Sequence, residues 1–209
     1  MTVFKERLLK IITVHPLEYQ KKCCIYFYEK LSIELEKEGL SIFLIHAFSD
    51  LKEINLKYNL IEKDLVLNLQ AKIFEQKILH LRATILDVLR TDYYEDTKYI
   101  TKPEKWIKDV CEDLKNTFDL EKDPCILLFR EFNEVLLKEF QSIFISKNRK
   151  FNSCGNLLLL NFIFYENFAK KFIAFDFDTF LKSFLSNIDS RKALTMEKIR
   201  KIFINHKNK

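Results

Sequence analysis

Two glycines, Gly39 and Gly155, and three prolines, Pro16, Pro103 and Pro124, are all that the 209 residues hold of either type. Average usage is about 7% glycine and 5% proline. These residues make tight turns and hairpins, and glycine opens the loops that cradle phosphates. A chain this poor in both lacks the residues for the closely spaced tight turns of a β fold. It predicts an all-α fold, a stack of about nine antiparallel helices, and it leaves no material for a glycine-rich nucleotide loop. Hydrophobic residues make up 48% and aromatics 14%, with twenty Phe, enough to build a core. The length suits one helical domain over 1–209, with a subdivision expected near 91–102.

The helical period recurs along the chain. Val3, Leu8, Leu9, Ile11 and Ile12 open a short first helix. After Pro16 a long amphipathic segment runs to about Glu38, with Leu17, Cys24, Tyr28, Leu31 and Leu35 on its apolar face, and Gly39 stops it. Ser41 to Tyr58 is a third helix. Residues 59–90 hold one or two more, with faces built from Leu65, Leu69, Ile73, Ile78, Leu81, Ile85 and Leu89. Pro103 opens a helix to about Phe118. Asp123-Pro124 repeats that device before a helix carrying Leu128, Phe132, Val135, Leu136, Phe140 and Phe144. A basic link, 146–153, leads into an apolar helix from Gly155 that Asn161 interrupts. Asp176 or Asp178 caps a helix over 179–187, and Thr195 starts a last basic helix. The expected core is Leu31, Leu65, Leu69, Trp106, Leu128, Phe132, Leu136, Phe140, Leu158, Phe162 and Leu181, with Trp106 as a buried anchor.

The formal net charge is +5, a mild basic bias that suits an acidic partner without demanding one. The N-terminus carries charges within its first ten residues and does not read as a signal peptide. No apolar run reaches membrane-spanning length, so no membrane insertion is expected. The five cysteines are odd in number and irregularly spaced, which suits buried thiols in a reducing compartment. His15, His46, His80 and His206 are scattered, and none pairs with another at helical spacing, so no metal site is expected. Asp176-Phe177-Asp178 lacks partners for a magnesium site and reads as a helix start. Arg200 to His206 has the Arg-x5-His form found in helical ribonucleases of the HEPN class, a form that also arises by chance in basic helices. The basic residues of the C-terminus read as a solvated face, and direct nucleic-acid binding is not expected to be primary. No catalytic residue is assigned.

The segment Lys102 to Phe151, KPEKWIKDVCEDLKNTFDLEKDPCILLFREFNEVLLKEFQSIFISKNRKF, resembles the C-terminal domain of the GLE-one family of nucleoporins, the mRNA-export mediators. Trp106 takes the place of the family's tryptophan helix, and Phe129 to Phe144 the place of its following apolar helix. Tyr19 to Ala47, Asn59 to Phe74 and Ile78 to Arg90 resemble upstream elements of the same domain, so the likeness spans about 17–187. Asn148 to Asn187 also resembles part of the middle domain of translation initiation factor four-G, which shares a HEAT-like helical-repeat fold. The resemblance implies a non-catalytic adaptor in minimal form, without the family's long coiled-coil region. Its partners would be a DEAD-box RNA helicase and nucleoporins, on the cytoplasmic side of the nuclear pore complex or otherwise in the cytoplasm. In fungal members inositol hexakisphosphate bridges adaptor and helicase through a basic pocket. Here only Lys72 matches that cluster, while Leu69 and Ile73 stand at two of its basic positions and Phe74-Glu75 replaces Cys-Pro, so dependence on that ligand is doubtful. The alternatives are a translation or RNA-processing scaffold of the initiation-factor type, and a stand-alone α-helical interaction or effector protein.

Overall fold

A computed structural model describes residues 3–90, 102–121, 125–145, 154–186 and 194–207; side chains are described for these except 86–90, 145, 154 and 206–207. Among the described residues the chain is all-α, with nine helices and no strand: α1 Val3–Val14, α2 Leu17–Glu38, α3 Ile42–Tyr58, α4 Lys63–Arg90, α5 Lys105–Thr117, α6 Ile126–Ile145, α7 Cys154–Ala169, α8 Asp178–Leu185 and α9 Met196–Lys207. Within 59–90, where one or two helices were expected, there is one, α4, of 28 residues. The Asp123-Pro124 device and the 146–153 link lie outside the described residues, as does the expected 91–102 division apart from Lys102.

The scarce punctuation sits at helix ends. Pro16 occupies the N-cap of α2, and its carbonyl accepts from the Tyr19 and Gln20 N–H groups. Gly39 ends α2 with φ at 76°, a left-handed value open to glycine, and its N–H returns to the Leu35 carbonyl at 3.2 Å. The Ser41 hydroxyl accepts the Leu44 N–H at 3.2 Å and starts α3. Asn59 ends α3 in the left-handed region, φ 50°, as asparagine tolerates better than most residues.

Two compact units divide the chain: Met1–Leu79 with Lys115–Phe132, and His80–Leu114 with Asn133–Lys209. In the first, α1, α2 and α3 pack on one another. Leu8, Leu31, Leu35, Leu44, Phe48 and Leu51 are buried there, and Phe74, Phe118, Phe129 and Phe132 pack through edge-on and tilted pairs with ring centroids 5.2–5.4 Å apart. In the second, α7 packs on α8 and α9. Phe162 is its hub: the rings of Trp106, Phe140, Phe144, Phe180 and Phe184 surround it at 4.5–6.4 Å. Edge-on and tilted pairs of this kind add to the area each ring buries.

Asn161, which interrupts the apolar run in the sequence, is fully buried here. Its Nδ2 donates to Glu104 Oε2 at 2.6 Å, and the Glu104 N–H donates to Asn161 Oδ1 at 2.8 Å. The Trp106 Nε1–H donates to the same carboxylate at 2.9 Å. Asn161 thus fixes Glu104 at the start of α5, and the Glu104 carboxylate in turn satisfies the indole. Of the expected core, Leu65 is only half-buried, because it borders a surface groove; the other ten are buried. Leu17 and Val135 do not join the apolar faces assigned to them: Leu17 is the first residue of α2 and lies exposed, and Val135 is exposed along α6.

Candidate docking surface

α2 carries two stripes. Cys24, Leu31 and Leu35 form the buried one. Tyr19, Tyr26 and Ile33 form a second, offset stripe at seven-residue steps, and they are 49%, 54% and 43% exposed. Seven residues are nearly two full turns, so these three lie in line along the helix. The ring of His15 lies 4.6 Å from that of Tyr19, and Lys30 Nζ sits 5.3 Å from the Tyr26 ring centre. Ile42 and Phe43, at the start of α3, are also exposed. Aromatic side chains are enriched at protein interfaces, and Tyr is among the residues that carry most of their binding energy.

Beside this face lies a groove of about 390 Å³, lined by Lys21 and Ile25 of α2, the link from Asn59 to Glu62, and Leu65 of α4. The Asn55 side chain clamps its floor: Oδ1 accepts the Ile61 N–H at 2.7 Å and Nδ2 donates to the Ile61 carbonyl at 3.1 Å. Leu60 and Ile61 are thereby held buried under an opening with Lys21 and Glu62 among its lining residues.

Lys72 projects from α4, half-exposed, and donates to Glu36 Oε1 of α2 at 2.9 Å. That hydrogen bond, with the carboxylate charge behind it, raises its pKa above the ordinary lysine value. Leu69 and Ile73, at the positions where the resembled family carries basic residues, are fully buried. A polyanion pocket needs several converging cations; here the cation is met by a carboxylate and its neighbours point into the core.

Asp176 serves the start of α8. Its Oδ1 accepts the Asp178 N–H at 2.9 Å and its Oδ2 accepts the Thr179 hydroxyl at 3.1 Å. The backbone hydrogen bond, then the hydroxyl, hold its carboxyl below the ordinary aspartate value. A lowered carboxyl stabilises the folded form above the ordinary aspartate range, and the benefit is lost as pH falls through the lowered value. The Asp178 amide resonance is therefore expected to shift as pH is taken below about 4. The shift should be smaller in Asp176→Asn, whose amide oxygen still accepts the bond but does not titrate. A pH-independent amide in the unaltered chain would rule this cap out.

The remaining sequence candidates are scattered. Arg200 is bound to Glu166 and Asp178, and the His206 side chain lies outside the described ones. His80 Nε2 is 3.9 Å from Asp113, and His46 Nε2 is 3.3 Å from Asp119. Cys23, Cys24, Cys111 and Cys125 are not in disulfides. Among the described residues no group of His, Cys, Asp and Glu is placed to hold a metal, and no helix is long and apolar enough to cross a membrane. The outward stripe of α2 was not anticipated, since tyrosines at helical spacing read as core. The signal was present in the sequence: one helix carries two apolar heptad series, and its neighbours bury only one of them. No known protein family, curated protein or solved structure matches this chain.

Proposed function

We propose that this chain is a non-catalytic helical adaptor that docks a protein partner on the outer face of α2. We further propose that the partner is a DEAD-box RNA helicase of mRNA export, engaged at the cytoplasmic side of the nuclear pore complex. The observation that carries the docking reading is the exposed line of Tyr19, Tyr26 and Ile33 beside a preformed groove. The helicase and its location rest on the likeness of 102–151 to the export mediators, and with them a HEAT-like arrangement of the helices. An activator of this kind works by unequal affinity for two states of its partner: binding the partly open helicase more tightly speeds release of RNA or nucleotide. With Lys72 held by Glu36, stimulation is expected without inositol hexakisphosphate.

The double variant Tyr26→Ala/Ile33→Ala tests the surface. Both residues are exposed, so its stability should stay within about 0.5 kcal/mol of the unaltered chain. Capture of the helicase from an extract of the source organism, and stimulation of its ATPase, should fall about tenfold or more, as expected for two anchor residues. Undiminished capture by the variant would move the interface off α2. An unaltered chain that captures no helicase would remove the export reading and leave a helical interaction protein.

A further inference from the structure

His46, Asp119 and Cys125 meet in the first unit, although 73 and 79 residues separate His46 from the other two. α3 carries His46 in its second turn. Asp119 lies in the turn after α5, with φ at 47°, a left-handed conformation that Asp and Asn adopt more readily than other side chains. Cys125 precedes α6, and its carbonyl accepts the Phe129 N–H at 2.8 Å, the first bond of that helix. Cys125 Sγ is 3.6 Å from His46 Nδ1, and Asp119 Oδ2 is 3.3 Å from His46 Nε2.

The two contacts leave opposite nitrogens of one ring. A metal would draw donor atoms to a single point; this geometry is instead that of nucleophile, base and orienting carboxylate. Asp119 accepts from Nε2–H, which leaves the Nδ1 lone pair facing the thiol. When the thiol proton moves to Nδ1, the imidazolium lies between two anions, and the sulfur lies at the N-terminus of a 20-residue helix, whose dipole favours negative charge. Burial pushes Cys24 up to about 11 and raises Cys111 as well, so both stay protonated near neutrality.

The surroundings narrow the chemistry. Acyl transfer draws on N–H donors for an oxyanion, yet the Cys125 N–H is committed to the Phe118 carbonyl at 3.1 Å. Displacement needs no such donor, because the leaving group carries the charge away. Cys125 is 6% exposed and the His46 and Asp119 side chains about one-fifth, so a reagent that reaches the sulfur has to be small. We infer that Cys125 is a reactive thiol, activated by His46 and Asp119, that takes small hydroperoxides by displacement at oxygen. The thiol proton passes to His46 Nδ1 and the sulfur attacks the nearer peroxide oxygen. The S–O bond to the terminal OH oxygen forms as the O–O bond breaks, and the departing alkoxide, or hydroxide in the case of hydrogen peroxide, takes the proton back from Nδ1 as an alcohol or water. Sulfur is oxidised by two electrons to a sulfenic acid, and the peroxide is reduced.

Time-resolved alkylation of the full chain with iodoacetamide at neutral pH, read site by site by mass spectrometry, tests the activation. Cys125 is expected to react about tenfold or more faster than Cys24 and Cys111, and faster than the more exposed Cys23. His46→Gln and Asp119→Asn should slow Cys125 severalfold and leave Cys23 unchanged. Hydrogen peroxide with dimedone should trap a sulfenic acid at Cys125 first. Labelling of Cys125 no faster than Cys24 and Cys111, or at an unchanged rate in both variants, would overturn the activation. Fast alkylation without a trapped sulfenic acid would overturn the choice of hydroperoxide. If His46→Gln unfolds the chain, seen as Cys24 and Cys111 reacting together with Cys125, Asp119→Asn decides by the same criterion, since asparagine suits the left-handed backbone at 119.

Discussion

Trp106→Ala is expected to destabilise the chain by about 3–5 kcal/mol, the usual cost of emptying a large aromatic site. At roughly 2–4 °C per kcal/mol for a chain of this size, the thermal midpoint should drop by about 6–20 °C. Two losses combine. The indole is 6% exposed, stacks at 30° on Phe144 and meets Phe162 edge-on, both at 6.4 Å, so its removal leaves a void beside the aromatic hub of the second unit. It also takes away the Nε1–H that Glu104 accepts, and that carboxylate is the partner of buried Asn161. Trp106→Phe separates the two, because it keeps most of the packing and loses the donor. It should cost about 1 kcal/mol. A Trp106→Ala chain that melts at the original temperature would show that the indole does not occupy this site.

The same residues show what the sequence made legible. Scarcity of glycine and proline, with Ser41, Gly39, Pro16 and Thr195 at the ends, announces helices and most of their limits, because these are properties of the local backbone. Periodicity finds buried faces wherever a helix has one apolar stripe, and Phe132, Leu136 and Phe140 lie where it places them. It fails where burial depends on a neighbour. Leu65 fits the period of α4, but a groove opens beside it, and Leu17 fits that of α2 but lies at the first turn. Tyr19 and Tyr26 fit a helical period equally well and face outward. Asn161 reads as a flaw in an apolar run until Glu104, 57 residues earlier, is brought against it. The His46, Asp119 and Cys125 cluster was not legible. Its members sit in three separate segments, and no spacing rule relates a histidine inside α3 to a turn and a helix start more than 70 residues on.

Arg200→Met is expected to cost about 3 kcal/mol, and the reason bears on what Arg200 is for. Glu166 of α7 is wholly buried, and two cations hold its charge there. Arg200 Nη1 of α9 lies 2.9 Å from Oε2, an ion-pair contact without hydrogen-bond geometry, while Nη2 bonds Oε1 at 3.3 Å. Lys170 Nζ donates to Oε1 at 2.6 Å, and Nη2 of the same guanidinium reaches Asp178 of α8 at 3.2 Å. Removing one partner of a buried pair costs about 3–5 kcal/mol, because the remaining charge stays out of water. The lower end applies here, since the guanidinium is about one-third exposed and Lys170 remains. Adding Glu166→Gln to Arg200→Met removes the stranded charge, so the double variant should recover most of the loss; the two effects are coupled, not additive. Thermal melting of the two single variants and the double variant measures this directly. In the ribonuclease reading of Arg200 and His206, the guanidinium must be free to meet a phosphate. Here it is spent on Glu166 and Asp178, so any activity lost in Arg200→Met would first have to be separated from lost folding. An Arg200→Met chain with an unchanged melting temperature would reverse that conclusion: the fold would not need the arginine, and the Arg-x5-His pattern would have its first residue available for chemistry.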